Sequence, residues 1–294
     1  MGKKLLFRGV GTAIVTPFCA GGIDFETFGR LIDTQAEYAD AIVVAGTTGE
    51  APTLSDSERD ELLAFAVARL DGRLPIIMGT GANDTARAVA LSRRASDLGA
   101  DGVLVVTPYY NRGTREGVRR HFLSVAEASG VPVLLYNVPA RTGGSLSLDD
   151  YGALLSHPNI VGVKEAEENT EKFFALCESF GKECAIYTGS DAFLLPSLAL
   201  GGDGVISVVS NLYPAKMHAA VRAFVCGDIS LARRCFAEFF PLCRLLFRET
   251  SPAPVKEALR LLGYGNGECR LPLTAPSEEL SQLLKAEISR LRGA

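Results

Sequence analysis

Short apolar runs rich in Val and Ile alternate eight times with longer amphipathic segments, and this alternation restricts the possible folds more than any other feature of the chain. The runs are Gly11 to Phe18, Ala41 to Gly46, Leu74 to Gly81, Gly102 to Pro108, Pro132 to Pro139, Ile160 to Ala166, Cys184 to Asp191 and Gly204 to Asn211. Each precedes a helix-type pattern. Asp56 to Leu70 opens with Ser55 and Glu58 at capping-box spacing, and Thr85 to Leu98 ends at Gly99. Stretches such as Ile42-Val43-Val44 and Val103-Leu104-Val105-Val106 are apolar on both faces, as parallel strands covered on both sides require. An open sheet of eight strands would keep two edges to protect, so the repeat predicts an α/β fold closed as a (β/α)8 TIM barrel. After the eighth helical pattern, Tyr213 to Cys226, no strand run follows, and Asp228 to Glu249, Pro254 to Leu262 and Ser277 to Leu291 read as three helices. The expected division is a catalytic barrel over residues 1–226 and a C-terminal helical appendage over residues 227–294.

The 294 residues carry 30 basic and 34 acidic side chains, a net charge of −4, which gives no basic surplus for nucleic acid or an anionic membrane. No apolar run reaches the roughly 18 residues of a membrane span, and Lys3, Lys4 and Leu5 to Phe7 lead into no signal-peptide stretch, so a cytoplasmic location is expected. Seven cysteines, Cys19, Cys177, Cys184, Cys226, Cys235, Cys243 and Cys269, lie at irregular spacings without a C-x-x-C, which predicts reduced and mostly buried thiols. His121, His157 and His218 show no metal-ligand spacing, so zinc-dependent chemistry is not expected.

Catalytic groups of such barrels sit at the carboxyl ends of the strands. Of eight lysines, only Lys164 falls there, after Ile160-Val161-Gly162-Val163. Partial desolvation disfavours the ammonium and makes the neutral amine accessible, which is the requirement for a Schiff base with a ketone or keto acid. The competing reading is a lysine snorkelling to the barrel mouth or paired with Glu165. A carbinolamine must lose water, so proton carriers are needed nearby. Tyr136 ends the run next to that of Lys164, and Tyr110 and Thr47 could extend a relay. Thr48 and the backbone N–H groups of Gly46-Thr47-Thr48-Gly49 offer donors to a carboxylate, and Arg141 could clamp a second one.

Gly46-Thr47-Thr48-Gly49-Glu50, Tyr136-Asn137-Val138-Pro139 with Arg141-Thr142-Gly143, and Gly162-Val163-Lys164-Glu165 together resemble the motifs of the 4-hydroxy-tetrahydrodipicolinate synthase (dihydrodipicolinate synthase) family. Thr107 to Arg112 and Pro254-Val255-Lys256 to Gly263 extend the resemblance over nearly the whole chain, although Gly113 stands where that family often has proline. The resemblance implies condensation of pyruvate with L-aspartate 4-semialdehyde on the route to diaminopimelate and lysine, without metal or organic cofactor. It implies that Lys164 forms the Schiff base, that Tyr136 moves the proton, and that Thr47 and Tyr110 complete the relay, the tyrosine reaching a neighbouring subunit. Thr48 and the backbone of Ile206 would hold pyruvate, Arg141 would bind the semialdehyde's carboxylate, and the assembly would be a homotetramer built as a dimer of dimers. In lysine-inhibited relatives an acidic side chain faces the effector's ammonium; the corresponding residue here is Arg87, so feedback by L-lysine is expected to be weak or absent.

N-acetylneuraminate lyase and keto-deoxy sugar-acid aldolases share the lysine and tyrosine on the same barrel, and they are the alternative for the second substrate. A non-catalytic keto-acid-binding barrel is the alternative from another class. It predicts loss of the nucleophile or a relay member, and Lys164, Tyr136, Tyr110 and Thr47 are all retained.

Overall fold

The computed structural model describes residues 5–293; Lys3 and Lys4 lie outside them. Eight strands, β1 (Gly9–Ala13), β2 (Ala41–Val44), β3 (Ile76–Gly79), β4 (Gly102–Val106), β5 (Val133–Asn137), β6 (Ile160–Glu165), β7 (Ala185–Thr188) and β8 (Gly204–Ser207), close into a barrel in chain order. Every strand pair whose register is defined within this ring is parallel, as expected for a (β/α)8 fold.

The first strand departs from the expected Gly11 to Phe18. It begins at Gly9 and ends at Ala13, and Phe18–Cys19 instead pairs antiparallel with Gly22–Ile23. Pro17 offers no N–H to a ladder, and Ala20 and Gly21 adopt positive φ angles of 51° and 80°, so the chain turns back on itself. Pro75 likewise delays β3 by two residues. The entry to a strand is marked three times by an aspartate whose carboxylate accepts from a neighbouring strand's N–H: Asp40 from Val10 at 2.8 Å, Asp101 from Ile76 at 2.8 Å and Asp203 from Ile186 at 2.9 Å.

The described chain falls into two compact units, residues 5–8 with 75–206 and residues 9–74 with 207–293. The first holds β3 to β7, most of β8, and helices α3 (Thr85–Asp97), α4 (Arg115–Ala128), α5 (Leu148–Leu155), α6 (Thr170–Phe180) and α7 (Leu194–Ala199). Its largest fully buried side chains are Phe122, Tyr151, Phe173 and Tyr187, and the Tyr187 hydroxyl donates to the Phe7 carbonyl at 2.6 Å.

The second unit holds β1, β2, α1 (Phe25–Tyr38), α2 (Asp56–Leu70), α8 (Pro214–Val225), and three helices beyond the barrel, α9 (Ile229–Leu245), α10 (Ala253–Leu261) and α11 (Glu278–Gly293). The Ser55/Glu58 capping box forms as read from the sequence. Here the buried ammonium of Lys256 pairs with the buried Glu50 carboxylate and donates to the Glu268 carbonyl at 2.8 Å. Arg270 grips Glu58 and donates to the carbonyls of Thr53 and Gly21. The segment after α10 is thereby tied to the start of α2.

Among the described residues the seven cysteines form no disulfide, yet only Cys177, Cys184 and Cys243 are buried, so the expectation of mostly buried thiols fails. Cys19 sits on the exposed hairpin and Cys226 at the exposed end of α8, positions where no core face passes. Among the described residues no helix is long and apolar enough to cross a membrane, and no three His, Cys, Asp or Glu side chains converge on a metal position.

Candidate active site

Lys164 is the penultimate residue of β6 and only 5% exposed. Its ammonium lies 4.3 Å from the centre of the Tyr136 ring, because the strand register sets Tyr136 of β5 directly opposite Lys164. Burial lowers the Lys164 pKa to about 8, with Asp191 opposing that change and Arg141 adding to it. Roughly a tenth of the amine is therefore neutral at pH 7, whereas an ordinary lysine is almost wholly protonated there. Gly189 makes the space for this side chain, since a Cβ at that position would come 2.9 Å from Lys164 Cε. Tyr136 is itself buried, and its carbonyl accepts from both the N–H and the hydroxyl of Thr107, at 2.9 and 3.2 Å.

Glu165 does not pair with Lys164. Alternation along β6 turns the two side chains to opposite faces, and the Glu165 carboxylate meets Lys172 at 3.1 Å. Arg141 lies exposed on the short helical turn Pro139–Thr142, near enough to act on Lys164 electrostatically. Ile206 is fully buried in β8. Tyr110 stands apart from this group: it is 91% exposed and adopts a positive φ of 68°.

Thr47 and Thr48 belong to the turn after β2. Thr48 is buried and Thr47 half-buried, and the turn is bracketed by Ala45 and Glu50, both left-handed at φ 48° and 55°. The Thr47 carbonyl accepts from the Glu50 N–H at 3.1 Å, and the Thr16 hydroxyl donates to the Gly49 carbonyl at 2.8 Å. Asp191, which follows β7 and is buried, receives no role in the sequence reading; the available signal is an acidic residue closing the strand-end run Cys184 to Asp191. Asn137 and Glu165, each directly following a candidate residue on its strand, receive no catalytic role in the sequence reading.

A closed barrel with a desolvated lysine at a strand end, facing a buried tyrosine, has the layout of class I aldolase-type lyases. The family model described as the dihydrodipicolinate synthetase family matches residues 6–291, and the chain belongs to that family. A 4-hydroxy-tetrahydrodipicolinate synthase of Thermoanaerobacter sp. (strain X514) is 43% identical over 287 residues, covering 97% of each chain. The solved 4-hydroxy-tetrahydrodipicolinate synthase of Methylacidiphilum fumariolicum SolV aligns with a TM-score of 0.95 at 42% identity, over 97% of this chain and 96% of that one. A monomeric dihydrodipicolinate synthase variant also aligns at 0.95, with 38% identity over 98% of this chain and 97% of that one.

Proposed function

We propose that this chain condenses pyruvate with L-aspartate 4-semialdehyde to give 4-hydroxy-tetrahydrodipicolinate and water, in diaminopimelate and lysine biosynthesis. The observation that carries the reading is the desolvated Lys164 amine held against Tyr136. The neutral amine attacks the ketone carbon of pyruvate, and the resulting carbinolamine loses its hydroxyl as water to leave an imine. Removal of a proton from the methyl carbon gives an enamine, whose carbon attacks the semialdehyde's aldehyde. The substrate amine then displaces Lys164 from the imine carbon, closing the ring and restoring the free lysine.

In this scheme Tyr136 delivers and accepts the protons, with Thr47 and Tyr110 as further relay members. Thr48 and the backbone of Ile206 hold pyruvate, and Arg141 receives the semialdehyde's carboxylate. We take the working assembly to be a homotetramer in the cytoplasm. The 91% exposure of Tyr110 supports a phenol that serves a neighbouring copy rather than its own.

The test is an initial-rate comparison with purified protein. Pyruvate should be consumed with aspartate semialdehyde much faster than N-acetylneuraminate or a keto-deoxy sugar acid is cleaved. Faster cleavage of either sugar acid would assign the chain to the lyase or aldolase alternative.

A further inference from the structure

The pairing of β5 with β6 starts in one register and ends in another. Val133 lies opposite Ile160, but Leu134 lies opposite Gly162, so β6 carries one extra residue at that point. Continued without the shift, the first register would set Tyr136 opposite Val163. Lys164 would then share a face with Asn137, away from the barrel interior. The shifted register makes the Tyr136 and Lys164 pair possible, and it must persist to the strand ends.

One rung beyond that pair, Asn137 lies opposite Glu165. The Asn137 side-chain Nδ2 donates to both carboxylate oxygens, at 2.8 and 3.0 Å, and the side-chain Oδ1 accepts from the Leu146 N–H at 3.2 Å. The same carboxylate accepts from the Tyr151 hydroxyl at 2.7 Å and the Glu167 N–H at 2.9 Å, and it pairs with Lys172. Both residues are buried, and alternation directs them away from the reacting atoms. An apolar pair would fill this face without desolvating a charge, but it would tolerate sliding; a bifurcated polar rung joins one residue of β5 to one residue of β6.

We propose that Asn137 and Glu165 are positioning residues that lock the shifted β5–β6 register and thereby hold Lys164 opposite Tyr136. The proposal rests on the reading of Lys164 as the Schiff-base lysine. It is tested with the full-length chain, quenching with borohydride at successive times after pyruvate addition and reading intact mass, which gives both the rate constant of imine formation and its final extent. Asn137→Ala and Glu165→Gln should lower the rate constant at least tenfold, with kcat falling by the same factor and the extent still approaching one adduct per chain. A merely structural role would lower the extent, by reducing the folded fraction, and leave the rate constant within twofold of the parent; that result overturns the proposal. If Glu165→Gln does not fold, Asn137→Ala reads the same quantity while leaving Tyr151, Lys172 and the Glu167 N–H on the carboxylate. No adduct in the parent chain would reject the lysine reading itself, whereas parent trapping with unchanged variant rates rejects only the positioning role.

Discussion

Lys164 was legible because it is the lone lysine at the end of an apolar run, whereas its surroundings were not: Glu165, the neighbour in sequence, faces Lys172, and the carboxylate that acts on Lys164 is Asp191, 27 positions further along. The lowered pKa sets a pH dependence. Because only the neutral amine attacks, the rate of pyruvate trapping should climb tenfold per unit below pH 8 and level off above it. A profile still climbing at that slope beyond pH 9.5, measured by timed borohydride quench, would mean that burial does not lower this group as described. Arg87 carries a second expectation. It lies exposed near the start of α3, where the family resemblance places the partner of an effector's ammonium, and like charges oppose binding there. L-lysine titrated at saturating pyruvate should leave the initial rate nearly unchanged; inhibition below about 1 mM, near −4 kcal/mol of binding, would contradict this reading.

The eight strands of the barrel and the three extra helices could be read from periodicity, because parallel strands buried on both faces leave near-continuous apolar runs. What periodicity could not show is the extra residue in β6. Val161 and Gly162 belong to one unbroken apolar run, and only the partner strand reveals that one of them lies outside the ladder. The early end of β1 was obscured in the same way, since Ile14 and Val15 are as apolar as the strand itself. The turn after β7 is equally constrained: a Cβ at Gly189 would meet Ala166 Cβ at 2.8 Å as well as Lys164 Cε. Gly189→Ala should therefore displace the lysine and slow imine formation by about tenfold or more, with the folded fraction preserved in a thermal melt. A trapping rate equal to the parent's would show that the lysine has room to spare.

Across the molecule, charges buried or half-buried in ion pairs make stability depend on acid. The Arg270 guanidinium lowers the Glu58 pKa to about 2 against the opposing effect of burial, and Asp150, also partly desolvated, is brought to about 2 by Ser147 and Arg115. Both carboxylates have depressed folded-state values, so their stabilisation is complete above the ordinary range near pH 4 to 5 and is lost as pH falls towards 2. His121 acts in the same direction at higher pH: burial holds it neutral to about pH 4, so acidification from 6.5 downward favours the unfolded chain, where it protonates freely. Melting temperature should fall steadily from pH 6.5 to 2, and Arg270→Met should flatten the part between pH 5 and 2. An unchanged slope in that variant would remove the Glu58 pair from the account. The assignment of the whole chain to pyruvate Schiff-base chemistry stands on its reactive amine. Intact-mass analysis and peptide mapping after borohydride reduction with pyruvate should give one adduct per chain, on Lys164, and none in Lys164→Ala; an adduct mapped to Lys216 or Lys256, or persisting in Lys164→Ala, would contradict it.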